Sequence, residues 1–220
     1  MHYLRFLSIL LSMAFIVSSC DDDQEKDLIG NWVNRYEIDG MARSHAVSFT
    51  IGSKAYLVSG YNGVERVRLT DCWEFEPEQN QWIQKASFPT DVVGRTSACA
   101  FSVNGKGYVI GGYYSDQDQD VMLKDVLEFD PVANTWTKLD DFPGAARYGA
   151  VGFSVNGKGY LCGGYDGNYL KDLWEFDPTS KTWTQMTSLP GSKRAFAQVF
   201  VINDIAYVFG GNSNGKYVDD

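Results

Sequence analysis

The most informative segment of the chain runs from Arg147 to Gly164 and reads RYGAVGFSVNGKGYLCGG. It is rich in Val, Phe, Tyr and Gly, and it is interrupted by Asn156-Gly157, a dipeptide typical of tight turns between antiparallel strands. It ends in a glycine pair, which allows backbone conformations that other residues rarely adopt. The segment therefore predicts a two-stranded β-hairpin.

The same pattern occurs three more times, so the chain is a repeat protein. Each copy begins at an arginine, and these arginines are spaced by 52, 52 and 47 residues; the further copies are Arg43–Gly60, Arg95–Gly112 and Arg194–Gly211. A second motif with Glu-Phe and a final proline follows three of them, at Asp71–Pro77, Asp125–Pro131 and Asp172–Pro178. A lone tryptophan comes next, at Trp82, Trp136 and Trp183. No stretch after residue 20 shows a helical apolar period, which predicts an all-β chain.

A period near 50 residues, with a glycine pair after one strand and a tryptophan in the last, resembles the kelch repeat of the galactose-oxidase-like central-domain superfamily. The resemblance covers about residues 28–220 and implies a kelch-type β-propeller of four-stranded antiparallel blades. The register predicts three whole blades and parts of two: blades at about 43–87, 95–141 and 147–188, a partial blade at 194–220, and an orphan outer strand at 30–34.

An incomplete propeller can arise in two ways. The chain is part of a protein with six or seven blades, or four blades close with one strand missing. We expect the first, because a missing internal strand would leave two unpaired strand edges.

The N-terminus has the pattern of a lipoprotein signal. Residues 1–19 combine Arg5 with the 12-residue apolar run Phe6–Val17, which is too short to cross a bilayer. The run ends in Val17-Ser-Ser-Cys20, which resembles the bacterial lipobox and implies that Cys20 is lipidated and partners with outer-membrane lipid. The acidic tether over residues 20–27 resembles the surface-export signal of some Gram-negative lipoproteins. We therefore expect a surface-exposed lipid anchor, with a periplasm-facing anchor as the alternative.

Composition excludes several classes of function. The net charge of −9 gives no attraction for phosphate backbones, so no nucleic-acid partner is expected. The superfamily's copper chemistry needs two imidazole ligands, whereas the chain after the signal holds only His45. No metal site, other cofactor or catalytic residue is predicted. The odd number of cysteines after Cys20 predicts buried, reduced thiols at Cys72, Cys99 and Cys162.

Candidate binding residues fall on the face where the loops after the second strands emerge. An arginine opens the first strand of each blade there, and a cluster of guanidinium groups could bind a carboxylate: Arg43, Arg95, Arg147 and Arg194. Pairing with a neighbouring acid such as Asp125 or Asp172 is the alternative. The loops carry tyrosines that could stack on sugar rings or pack over blade edges: Tyr61, Tyr113, Tyr114, Tyr165 and Tyr169.

These residues favour a non-catalytic module that binds glycan or protein at the cell surface. Two alternatives stay open. One is a structural or assembly propeller of the cell envelope. The other is a metal-free enzyme similar to the kelch-type sialic-acid mutarotases or epimerases, in which an arginine-bound carboxylate would need an Asp or Glu proton shuttle. No pair of loop carboxylates identifies itself as that shuttle.

Overall fold

The structure is a computed structural model that describes residues 37–116 and 119–219. The expected signal peptide, Cys20, the acidic tether and the outer strand at 30–34 lie outside these residues. The described residues form twenty β-strands and no α-helix, in agreement with the all-β prediction. They include no helix that is both long and apolar enough to cross a membrane.

Each of the three predicted whole blades contains one four-stranded antiparallel sheet, with the strands in sequence order across the sheet. The first comprises Val47–Ile51 (β1), Lys54–Val58 (β2), Cys72–Glu76 (β5) and Gln81–Lys85 (β6). The second comprises Cys99–Val103 (β7), Lys106–Ile110 (β8), Val126–Asp130 (β11) and Thr135–Lys138 (β12). The third comprises Val151–Val155 (β13), Lys158–Tyr165 (β14), Tyr169–Asp177 (β15) and Thr182–Met186 (β16).

The loop between the second and third strands of a blade is itself a small hairpin. In the first two blades it pairs Tyr61–Asn62 (β3) with Val67–Arg68 (β4), and Tyr113–Asp116 (β9) with Gln119–Met122 (β10). In the third blade it is the continuation of β14 and β15 past a bulge between Cys162 and Gly164. These hairpins, together with the residue that follows each opening arginine, define what we call the loop face.

The last blade has only its first two strands, Gln198–Ile202 (β17) and Ile205–Phe209 (β18), and a loop hairpin of Asn212–Ser213 (β19) and Lys216–Tyr217 (β20). No described strand pairs with the outer edge of β18. Large apolar side chains on β17 and β18 are correspondingly exposed, including Phe200, Ile202, Ile205 and Phe209. The described sheets thus form an open set of blades, as the register of the repeats predicts.

The first strands of the four blades lie next to one another and line a common cavity of about 280 Å³. Side-chain hydroxyl groups join them: the Ser102 hydroxyl donates to the Thr50 carbonyl, and the Ser154 hydroxyl donates to the Ser102 carbonyl, each at 2.5 Å. The 52-residue period thus places each hydroxyl against the same carbonyl of the preceding blade.

The core lies between the blades, where aromatic side chains fill the gaps. Trp136 on β12 is 9% exposed, and its ring packs against Phe88 and Phe129 with centroids 4.9 Å away in each case. Its indole N–H donates to the Ala86 carbonyl at 2.8 Å, which satisfies the one polar atom of the side chain. These contacts join the first blade to the second.

The glycine pair brings the loop face close to the next blade. Gly112 has a φ of 90°, and a Cβ atom there would lie 2.8 Å from the Thr96 carbonyl oxygen. Its N–H donates to the carbonyl of Arg147 in the following blade at 2.9 Å. Only glycine combines this conformation with this approach, so the pair is a structural requirement.

The three cysteines of the propeller are buried and free, as predicted. Burial raises the pKa of the Cys72 and Cys162 thiols to about 12, and it also raises the pKa of Cys99. The thiols therefore stay protonated at neutral pH and are poor nucleophiles.

Candidate functional site

The four opening arginines have side chains held inside the protein. Arg95 is fully buried, and its two terminal nitrogens donate to the two carboxylate oxygens of Asp125 at 2.5 and 2.8 Å. Arg43 pairs in the same way with Asp71, and Arg147 with Asp172. The pairing of Arg95 and Arg147 with these acids, which the sequence left as the alternative, is the observed arrangement.

Each arginine also bonds to the glycine pair of its own blade, or to the equivalent Ser59-Gly60 in the first blade. A terminal nitrogen donates to the carbonyl of the first residue of the pair at 3.0–3.2 Å: Arg43 to Ser59, Arg95 to Gly111, Arg147 to Gly163 and Arg194 to Gly210. Two phenylalanines cover guanidinium groups, Phe88 over Arg95 and Phe142 over Arg147. The guanidinium groups thus position the loop that follows the pair and do not face solution.

The residue after each arginine pairs with the first residue of the loop hairpin. The isolated bridges join Ser44 to Tyr61, Thr96 to Tyr113, Tyr148 to Tyr165 and Ala195 to Asn212. In the second blade, for example, the Thr96 N–H donates to the Tyr113 carbonyl at 3.0 Å, and the Tyr113 N–H donates back at 3.1 Å. The loop tyrosines therefore start from a rigid backbone on the loop face.

Five tyrosine side chains and one arginine side chain on the loop face form a continuous series of contacts. We call this series the tyrosine arc: Tyr61, Arg68, Tyr113, Tyr148, Tyr165 and Tyr169. The Arg68 guanidinium lies 5.4 Å from the Tyr61 ring centroid and 5.1 Å from that of Tyr113. From Tyr113 the centroids follow at 4.7 Å to Tyr148, 5.5 Å to Tyr165 and 5.2 Å to Tyr169. All six side chains are partly exposed.

The arc reaches all four blades. It starts in the first blade with Tyr61, and in the third blade the Tyr169 hydroxyl donates to the Asn212 side-chain oxygen of the fourth blade at 2.7 Å. Phe196 extends the surface beyond Tyr148, because its ring lies 5.8 Å from the Tyr148 ring and covers Gly149. Phe196 is 48% exposed, so an apolar ring faces solution beside the tyrosines.

Arg68 is chemically distinct from the opening arginines. Its guanidinium forms no ion pair with any described acid; one terminal nitrogen donates to the Ser115 hydroxyl at 3.0 Å. That hydroxyl donates in turn to an Asp120 carboxylate oxygen at 2.8 Å. The Nε atom of Arg68 is buried without a hydrogen-bond partner. The arc therefore contains one cation with unused hydrogen-bonding capacity.

Tyr148 lies at the centre of the arc in a changed electrostatic environment. Burial raises the pKa of its phenol, and the nearby ionisable groups Tyr165, Tyr113, Asp120 and Tyr169 raise it further. The phenol therefore keeps its proton at neutral pH and can donate a hydrogen bond to a ligand.

No group of three or more His, Cys, Asp or Glu side chains suited to a metal occurs in the described part of the chain.

The sequence identified part of this arrangement. Tyr61, Tyr113, Tyr165 and Tyr169 come together as a surface, whereas Tyr114 does not, because successive strand residues point to opposite sides. Tyr114 lines a separate pocket with Val93, Met122 and Lys124.

Sequence reasoning missed Tyr148, Arg68 and Phe196. The signal for Tyr148 was its place beside Arg147, which aligns it with Ser44, Thr96 and Ala195 on the same face.

Two kelch profiles match the chain: the KLHDC2/KLHL20/DRC7 Kelch-repeats domain over residues 36–164, and the Kelch motif over residues 146–190. The N-acetylneuraminate epimerase of Pasteurella multocida (strain Pm70) is 35% identical over 119 residues, which are 52% of this chain and 29% of that protein. Kelch-like protein 35 of Mus musculus is 28% identical over 133 residues, which are 60% of this chain and 21% of that protein. The chain thus spans less than a third of the length of these curated relatives.

The solved structure titled "Structure of YjhT", a kelch β-propeller, superposes with a TM-score of 0.72 at 20% sequence identity. The superposition covers 83% of this chain and 62% of that chain, and it bears on the fold alone. The first profile spans more than half of the chain, and the sheets agree with the propeller of the solved structure. The chain therefore belongs to the kelch-repeat family.

Proposed function

We propose that this protein is a lipid-anchored, cell-surface kelch propeller that binds carbohydrate through the tyrosine arc. The observation that carries the proposal is the unbroken contact series from Tyr61 to Tyr169 on the loop face. A tyrosine offers an apolar ring for the C–H face of a sugar and a hydroxyl group for its polar edge. The relatives named for N-acetylneuraminate support a sugar as the ligand class.

A glycan array probed with the full chain tests this proposal. We expect binding to a defined set of glycans, which Tyr148→Ala weakens about five- to tenfold, the loss typical of one aromatic contact. Tyr114→Ala is the matched control, because the Tyr114 side chain leaves the arc and lines a separate pocket with Val93, Met122 and Lys124. An array on which the protein binds no glycan would contradict the proposal. An envelope defect on gene deletion in that case would favour the structural role.

The lipid anchor rests on Val17-Ser-Ser-Cys20 and on the acidic residues that follow. Several acyl chains on Cys20 would hold the protein stably at the outer membrane, whereas a single chain is marginal. We expect Cys20→Ser to abolish labelling by a fatty-acid analogue. Replacing the acids of residues 21–27 by serine should protect the protein from protease added to intact cells, if this run directs surface export. Unchanged protease sensitivity would support an export signal elsewhere in the chain.

A second candidate function is epimerase-like chemistry on an acidic sugar, and the named relatives favour it. A mutarotase needs a group that moves protons near a bound sugar, and Asp120 lies close enough to influence the phenol of Tyr148. Exchange between the anomers of N-acetylneuraminate, followed by NMR, tests this candidate. We expect faster exchange with added protein and a loss of the acceleration in Asp120→Asn. No acceleration by the full chain would exclude it.

A further inference from the structure

We infer that the tyrosine arc binds an oligosaccharide of three or more rings, laid across the blades, rather than a single sugar. The inference rests on the proposed carbohydrate-binding function and specifies the ligand class. Neighbouring members of the arc are 4.7–5.5 Å apart, so the series contains no gap from the first blade to the third. One sugar ring is about as wide as one tyrosine ring and would leave most of the arc uncovered.

The arc is organised before any ligand arrives. Tyr113 and Tyr148 are tied down through the bridges Thr96–Tyr113 and Tyr148–Tyr165, and Tyr169 is held by its hydrogen bond to Asn212. Because these side chains are already ordered, a long ligand loses its own freedom on binding but orders few protein groups. Added sugar rings should therefore contribute affinity up to the length of the arc.

The charge of the arc restricts the ligand further. Tyr148, Tyr165 and Tyr169 bring no positive charge, and the negative charge of Asp120 acts on Tyr148. The only cation in the series is Arg68, between Tyr61 and Tyr113. We therefore expect a carboxylate at the Arg68 end of the arc and neutral sugar rings over Tyr148 and Tyr169.

A protein partner fits this surface less well. A stable protein interface buries about 800 Å² on each side around an apolar core. Among the described residues, the largest group of exposed apolar side chains lies on β17 and β18, away from the arc, and Phe196 adjoins Tyr148. The arc itself offers partly exposed rings that each end in a hydroxyl group, which suits sugars.

Calorimetric titration of the full chain with size series of neutral sugars tests the length requirement. The probes are chito-, malto- and cello-oligosaccharides of one to six residues. For the series that binds, we expect affinity to rise about tenfold or more from the monosaccharide to the trisaccharide. Tyr61→Ala and Tyr169→Ala, at the two ends, should lower the ratio of hexasaccharide to disaccharide affinity. Tyr148→Ala should weaken both affinities, and the control Tyr114→Ala neither.

Two different failures are distinguishable. A monosaccharide that binds as tightly as its trisaccharide and hexasaccharide would overturn the inference and leave the carbohydrate-binding proposal standing. Absence of binding by sugars of every length, in these series and on the glycan array, would overturn both.

Discussion

The ring centroids of Tyr113 and Tyr148 lie 4.7 Å apart, although the two residues belong to neighbouring blades. Their contact is made possible by two backbone bridges, Thr96–Tyr113 in one blade and Tyr148–Tyr165 in the next. The hydrogen bond from the Gly112 N–H to the Arg147 carbonyl holds the two loops side by side. A surface that no single blade could form thus arises where the blades meet.

The buried arginine of a blade should matter for stability. The variant Arg95→Ala would leave Asp125 without its partner. Breaking a buried ion pair in this way costs about 3–5 kcal/mol of folding stability. Lys124→Ala is the control, because its pair with Asp141 is 3.9 Å long and both side chains are 49% exposed. That change should cost less than about 1 kcal/mol. Urea denaturation of both variants measures the difference, and equal losses would contradict the structural role of Arg95.

The same ion pairs predict a dependence of stability on pH. Burial alone would raise the pKa of Asp172, but hydrogen bonds from Arg147 and Trp174 outweigh it and leave the pKa below its usual value. At Asp71, hydrogen bonds from Arg43 and Trp73 likewise outweigh burial and lower the pKa of the carboxyl group. A carboxyl with a lowered folded-state pKa stabilises the fold fully above the unfolded pKa of about 4. This contribution is lost as the pH falls through the folded-state value.

The free energy of unfolding in urea, measured from pH 6 down to pH 2.5, tests this sign. We expect it to decrease below about pH 4, the range in which the unfolded carboxyl groups take up protons first. Asp172→Asn should reduce the slope of the decrease, because it removes one of the titrating groups. A slope identical to that of the wild-type protein would show that the pair does not set the acid sensitivity.

The close approach at the glycine pair can be tested against an open glycine. Gly112→Ala would place a Cβ atom 2.8 Å from the Thr96 carbonyl oxygen, whereas a Cβ atom at Gly105 meets nothing within 4 Å. Both residues have a positive φ, so Gly105→Ala measures the backbone strain alone, about 1–2 kcal/mol. We expect Gly112→Ala to be the more destabilising in thermal unfolding and also to weaken sugar binding, because Tyr113 follows it. Equal destabilisation by the two variants would contradict the packing argument.

Arg68 should determine the response to acidic sugars. Its guanidinium has no acid partner among the described residues and is available to a carboxylate. Arg68→Gln should therefore weaken the binding of carboxylate-bearing glycans about tenfold, and the binding of neutral glycans less. The exposed neighbour Arg66 provides the control variant Arg66→Gln. Paired titrations with sialyllactose and lactose separate the two effects. An equal loss for both sugars would assign Arg68 a packing role only.

Much of the fold could be predicted because each repeat contains the residues that form one blade. Positions that every blade needs, such as Arg95 and Gly112, recur in all four copies and are always 17 residues apart, so the sequence alone identifies them. The pairing of Arg147 with Asp172 could be proposed as an alternative for the same reason.

The binding surface could not be predicted so fully, because its residues differ from blade to blade. Arg68 corresponds to Met122 in the second blade and Tyr169 in the third. Because the residue type changes from blade to blade, the repeat pattern does not indicate that this position is functional. Its contact with the Tyr113 ring joins residues in different blades, and spacing along the chain does not show that neighbourhood. Tyr114 is expected on this surface because it lies in the same loop as Tyr113, whereas the alternation of side chains along β9 directs it into a separate pocket.

The most direct test of the carbohydrate-binding account is a calorimetric titration of one array-selected oligosaccharide into the wild-type protein, Tyr148→Ala and Tyr114→Ala. Tyr148 lies at the centre of the arc, between Tyr113 and Tyr165. The account predicts that Tyr148→Ala binds about five- to tenfold more weakly, whereas Tyr114→Ala binds as tightly as the wild-type protein. Tyr148→Ala that remains folded and binds as tightly as the wild-type protein would contradict it.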